Sequence, residues 1–194
     1  MKQKVLRALL ISAILIIIFA SCNLGLKYSE KKDFAEQKPI TNSTLSAISA
    51  QLLGLTEKEA QFFIGLNIER INAGLPLLLL DPILVKAARY RSQDMARKNY
   101  FSHEAPDGST VFDLLDSWDV PYTWAGENLA RNNYPSTVTV AEALRKLMTS
   151  PSHRAKILLP NYIRVGVGYA RDKSGMHYFT TIFTDRAELG RKIE

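Results

Sequence analysis

The chain has 194 residues, 46% hydrophobic and 23% charged, an ordinary globular composition long enough for one domain with appendages. Lys2, Lys4 and Arg7 fall in a leader, so of 25 basic residues 22 face 19 acidic ones; a charge of +3, with no basic run interleaved with aromatics, makes no case for nucleic acid as a partner. Cys22 is the only cysteine, which excludes an intrachain disulfide and a cysteine-rich zinc site.

Residues 1–21 read as a secretory signal peptide: three positive charges, an apolar run from Val5 to Ala20 broken by Arg7 and Ser12, then small residues. Ala20-Ser21 directly before Cys22 resembles the lipobox of bacterial lipoproteins, in which that cysteine is lipidated and becomes the mature N-terminus. Phe19 stands where leucine is usual. The other reading is an uncleaved anchor, since the apolar run nearly spans a bilayer. Both readings put the remainder outside the cytoplasm and tie it to a membrane. Residues 22–50 form the lipidated N-terminus and a polar tether, and residues 51–190 the folded domain. Leu45, Ile48, Leu52 and Leu53 recur at helical spacing and predict a short amphipathic helix leading into it.

Thr56-Glu57-Lys58-Glu59 is a capping box, and Phe62, Phe63, Leu66, Ile68 and Ile71 carry its helix to a stop at Gly74. Asp81-Pro82 starts a second helix, with the stripe Leu84, Ala87, Ala88, Arg91 and Met95 ending near Asn99. Asp107-Gly108-Ser109 predicts a turn, with Ser109 capping a helix through Trp118. Tyr122 to Ala130 reads as extended. Thr139-Val140-Ala141-Glu142 reads as another capping box, and Ser150-Pro151 ends that helix and caps a short turn carrying His153. Ile163 to Ala170 and Tyr178 to Phe183 read as strands joined by a hairpin at Asp172-Lys173-Ser174-Gly175. Helices first and strands later predict an α+β fold, helices packed on an antiparallel sheet.

Two histidines and one carboxylate stand out. His103 lies just past a helix end, where an ordinary hydrogen-bonded loop residue is the plain alternative. His153 lies near a helix N-terminus, where the dipole disfavours the imidazolium and keeps the ring neutral for a ligand. Glu127 lies between Gly126 and Asn128 in an extended stretch; satisfying backbone amides is its plain alternative. Two imidazoles and a carboxylate, brought together, suit a divalent metal or an acid–base pair. His177 is expected at an exposed strand position, Glu142 in a capping box, and Trp118 and Trp124 in the core or a groove wall.

In order and spacing, a series of motifs between Asn67 and Phe183 resembles the bacterial branch of the CAP superfamily (cysteine-rich secretory proteins, antigen 5 and pathogenesis-related 1), or SCP-like extracellular domains. They include Asn67-Ile68-Glu69-Arg70, Ser92-Gln93-Asp94-Met95-Ala96, Phe101-Ser102-His103, Ala125-Gly126-Glu127-Asn128-Leu129-Ala130, Ser150-Pro151-Ser152-His153-Arg154 and Val165-Gly166-Val167-Gly168-Tyr169. The resemblance implies an α–β–α sandwich with a cleft. It assigns His103 and His153 to the cleft histidines, which can bind zinc, and Glu127 to one of two glutamates. The place of the second falls near Ser150. Glu142, eight residues earlier and roughly 12 Å along a helix, is a poor substitute. Leu147 stands where bacterial members often carry tryptophan.

The resemblance favours a non-enzymatic, membrane-anchored binding module for a lipid or sterol, or for a host or envelope protein, with the cleft of His103, Glu127, Asn128, Ser150 and His153 as its site. Lipid at Cys22 would hold it to the cell envelope. The alternatives are a zinc-dependent hydrolase, with His103 and His153 on the metal and Glu127 as base, and a structural envelope protein with a vestigial cleft. A monomer is expected.

Overall fold

Thr56 begins the first described helix for a local reason. Its hydroxyl accepts from the Glu59 amide while the Glu59 carboxylate accepts from the Thr56 amide, so two otherwise orphaned donors are satisfied. In the computed structural model, residues 54–185 are described; the signal peptide, Cys22, the tether and the helix expected around Leu45–Leu53 lie outside them. Helix α1, Glu57–Asn72, ends at Ala73 and Gly74, the latter in the left-handed region that glycine adopts without cost. Arg70 is fully buried and donates to the carbonyls of Pro76, Ile157, Leu159 and Tyr162, tying the helix to a distant loop.

Strand β1, Leu79–Leu80, is short, and Asp81 then caps helix α2, Pro82–Lys98, through the amides of Ile83 and Leu84. Helix α3, Val111–Ser117, strand β2, Ala125–Asn132, and helices α4, Thr139–Thr149, and α5, Pro151–Ile157, follow. Strands β3, Arg164–Arg171, and β4, His177–Thr184, form the hairpin, closed by Asp172 and Gly175. The sheet order is β1-β3-β4-β2. Three strands are antiparallel, and β1, which periodicity could not reveal in two residues, pairs parallel with Arg164 and Val165.

Alternation along the strands assigns the two faces. Ile182, Thr180 and Tyr178 face α2, where Leu84, Ala87 and Ala88 pack with Val111 and Leu115 of α3. Phe179 and Phe183 face the other way, toward Phe62 of α1 and Tyr162. The result is the expected helix–sheet–helix sandwich. Helix α2 lies close on β3 because Gly166 and Gly168 have no Cβ; one there would collide with the backbone of Leu84 or Ala88.

Three local expectations are corrected. Thr110, not Ser109, caps α3, in a reciprocal pair with Asp113, while Ser109 is taken by Asp107. Thr139 caps nothing: its hydroxyl donates to Asn132, Val138 holds the cap position, and Glu142 pairs with Arg145. His177 is buried, not exposed: Tyr169 stacks on the ring and the Tyr134 backbone, just after β2, hydrogen-bonds to it.

Candidate functional site

The site is assembled at β2, the outermost strand on its side of the sheet. Neighbouring strand residues point to opposite faces, so Glu127 and Asn128 reach into different layers. Glu127 turns toward α2, and Asn128 toward α5, where its amide donates to the His153 carbonyl at 3.0 Å. One step along the strand thus connects the elements carrying the two histidines.

On the α2 side, the hub is Arg91. It lies in the stripe that otherwise buries Leu84, Ala88 and Met95, and is itself 2% exposed. A guanidinium there needs every donor satisfied. Nε donates to Glu127 Oε1 at 3.2 Å, one terminal nitrogen to the Tyr100 hydroxyl, and the other to the carbonyls of Ser102 (2.9 Å) and His103 (2.8 Å). Asn99, at φ 54°, turns the chain back after α2, and Arg91 then clamps the returning segment. Tyr100 also donates to buried Asp94, and burial together with that carboxylate pushes its hydroxyl up to about 12. Reading Arg91 as one more stripe position missed this; an arginine on a core-facing stripe demands a buried anion, which was the available signal.

His103 follows from the clamp. Its Nδ1 lies 2.7 Å from Glu127 Oε2, and a carboxylate oxygen accepts. In the neutral ring the proton is therefore on Nδ1 and the Nε2 lone pair is free. The side chain is 57% exposed while that of Glu127 is 2% exposed, so the carboxylate supports the ring from below. Both Glu127 oxygens are engaged.

On the other side, Pro151 opens α5, and Ser150 caps it by backbone conformation alone. The Ser150 hydroxyl instead meets His153 Nδ1 at 2.8 Å. A hydroxyl donates or accepts, so either tautomer is served and Nε2 remains available. Burial, then the positive charge of Lys156, then that of His103, lower the His153 pKa. The ring stays neutral, as the helix-terminus argument expects, through burial and neighbouring cations. His103 and His153 are near enough to feel each other's charge.

Ser150, where the second glutamate is expected, thus orients an imidazole with a neutral group. Asn128 is 1% exposed and braces α5 from beneath. Among the described residues no group of three or more His, Cys, Asp or Glu side chains could hold a metal. Two imidazoles supply two donors, and Glu127 is occupied.

These features define a helix–sheet–helix domain with two separately held imidazoles, on Glu127 and on Ser150, near an outer strand. The chain belongs to the CAP, Cysteine-rich secretory protein family, which residues 65–183 match. It is similar to the "Uncharacterized protein YkwD" of Bacillus subtilis (strain 168), 38% identical over 140 residues, 72% of this chain and 50% of that protein. The chain thus spans about half the length of that curated relative. An extracellular protein containing a SCP domain from Bacillus anthracis is 28% identical, with TM-score 0.59 over 81% of this chain and 45% of the other. An outer surface protein from Borrelia burgdorferi shares the fold at 18% identity, with TM-score 0.61 over 68% of this chain and 94% of the other.

Proposed function

We propose that this chain is a non-enzymatic, extracytoplasmic binding module, held to the cell envelope by lipid on Cys22, whose cleft presents His103 and His153 to a lipid, sterol or protein partner. The observation that carries this reading is the engagement of Glu127. A general base needs a free oxygen facing the water that it deprotonates. Glu127 is buried, with one oxygen on Arg91 and the other on His103, so it serves as a positioning group. The Bacillus anthracis relative, described as extracellular, supports the placement outside the cytoplasm. Among the described residues no helix is long and apolar enough to cross a membrane.

The donor set fits a divalent ion such as zinc only in part. His103 and His153 would hold it through Nε2, with Glu127 and Ser150 orienting the rings from behind. Catalytic zinc sites ordinarily take three protein ligands. With two, an ion here keeps positions open for a partner's own donor, which favours recognition over hydrolysis.

Cobalt(II) absorbance tests the division of labour. Glu127→Gln should weaken binding by about 10–100-fold, the usual cost of losing a supporting carboxylate, while His103→Ala abolishes it. A parent protein that hydrolyses ester or peptide substrates, and loses that turnover in a folded Glu127→Gln variant, would overturn the non-enzymatic reading. Palmitate labelling lost in Cys22→Ser tests the anchor separately.

A further inference from the structure

A second feature lies away from the cleft, between the last turns of α2 and the β3–β4 hairpin. A groove of about 570 Å³ runs there, lined by Gln93, Ala96, Arg97, Ala170, Arg171 and Lys173 among others. Ala96 on the helix and Ala170 on the strand are too small to fill the space between them. The walls carry cations: Arg97 on the helix side, Arg171 and Lys173 on the hairpin side. Lys173 makes no ion pair among the described residues. Arg171 folds over the turn, its Nε donating to the Gly175 carbonyl, a neutral partner. Arg97 and Lys98 share buried Asp94, which compensates one of the two.

The one carboxylate in the lining, Asp172, is committed to the hairpin. It accepts from the Ser174 amide and hydroxyl, the Met176 amide and the Tyr178 hydroxyl. These donors also hold its pKa below the ordinary carboxylate range. Arg97, Arg171 and Lys173 outnumber Asp172, the one carboxylate among the lining residues, and its oxygens are already taken by the turn, so the groove keeps a positive excess suited to an external anion.

We infer that this groove and the exposed hairpin beside it seat against an anionic membrane surface, taking phospholipid headgroup phosphates between Arg97, Arg171 and Lys173. The choice of a bilayer over a soluble anion rests on the lipid-anchor reading above and on where the described chain begins. The Gly54 carbonyl accepts from Arg89 on α2, about 12 Å along the helix from Arg97. The first described residue therefore lies beside the helix that forms one groove wall. Arginine forks pair with phosphate oxygens, and each basic residue at an anionic surface contributes about fivefold in partitioning.

The test is sedimentation with vesicles, using the mature chain from Cys22 prepared without its lipid, so that the groove acts alone. Vesicles of 70:30 phosphatidylcholine and phosphatidylglycerol are compared with pure phosphatidylcholine, at low salt and at 0.5 M salt. Binding to the anionic vesicles only, lost at high salt, is expected. Arg97→Gln/Arg171→Gln/Lys173→Gln should reduce it by about a hundredfold. Arg171→Gln/Lys173→Gln, which spares the Asp94 pair, should reduce it by about 25-fold. Lys86→Gln/Arg145→Gln/Lys146→Gln removes the same charge elsewhere and should change it little. Equal binding to both vesicles, an equal loss in the control, or capture of glycerol phosphate without vesicle binding would each overturn the proposal. Palmitate labelling at Cys22 is read separately, so failure of the anchor and failure of the groove remain distinguishable.

Discussion

Arg91 shows how one buried side chain can decide the geometry of a site from beneath it. It commits its donors to Glu127, Tyr100 and two loop carbonyls, so the position of His103 is set by a residue twelve positions earlier on a helix. Arg91→Met roughly keeps the volume but takes the guanidinium from Glu127 Oε1, the Tyr100 hydroxyl and the carbonyls of Ser102 and His103, leaving the buried carboxylate with His103 alone. Breaking a buried pair from one side costs about 3–5 kcal/mol. Urea denaturation should show a loss of that order, with faster amide exchange at residues 100–104; an unchanged midpoint would mean that Arg91 is not the clamp. Sequence reasoning singled out His103, Glu127 and His153 because histidines and a glycine-flanked glutamate are conspicuous as residue types. It passed over Arg91: a charge on a core-facing stripe signalled a buried anion, but which anion depends on the strand that lies under the stripe.

At the scale of elements, the caps separate what is local from what is not. Thr56 and Asp81 act as expected, because a cap and its amides lie within three residues of one another. Thr139 fails as a cap because Asn132, on the preceding strand, claims its hydroxyl at 2.6 Å. Gly166 and Gly168 were visible as a motif, but their reason is the backbone of α2 pressed against them. Gly168→Ala should cost about 1–3 kcal/mol by overpacking and lower the thermal midpoint; a neutral outcome would contradict the close approach. His177 carries a pH dependence. Burial first, then Arg171, lower its pKa, against a hydrogen bond to the Tyr134 backbone that raises it. The Tyr169 hydroxyl lies 2.7 Å from Nδ1 and can serve either tautomer of the neutral ring. The folded protein resists protonating this ring more than the unfolded chain does, so its contribution is complete above about pH 6.5 and lost as pH falls through the lower folded value. His153 shifts in the same direction. Thermal midpoints from pH 8 to 5 should fall below about 6.5, and less steeply in His177→Gln; equal slopes would remove His177 from the explanation.

For the whole molecule, the sandwich was readable from helices preceding a hairpin and from motifs in order. The two-residue strand β1 was not, being shorter than any period. The fold places two histidines from different layers beside one strand and gives each a partner on Nδ1. It also sets a cationic groove at the hairpin end of α2. The cleft reading and the groove reading concern different surfaces and stand or fall apart. Zinc calorimetry on the chain expressed from residue 23 onward, beside His103→Ala/His153→Ala, addresses the cleft most directly. One equivalent bound by the parent and none by the variant is the predicted result. No binding by the parent, or equal binding by both proteins, would contradict the account that these two imidazoles converge on a shared ligand.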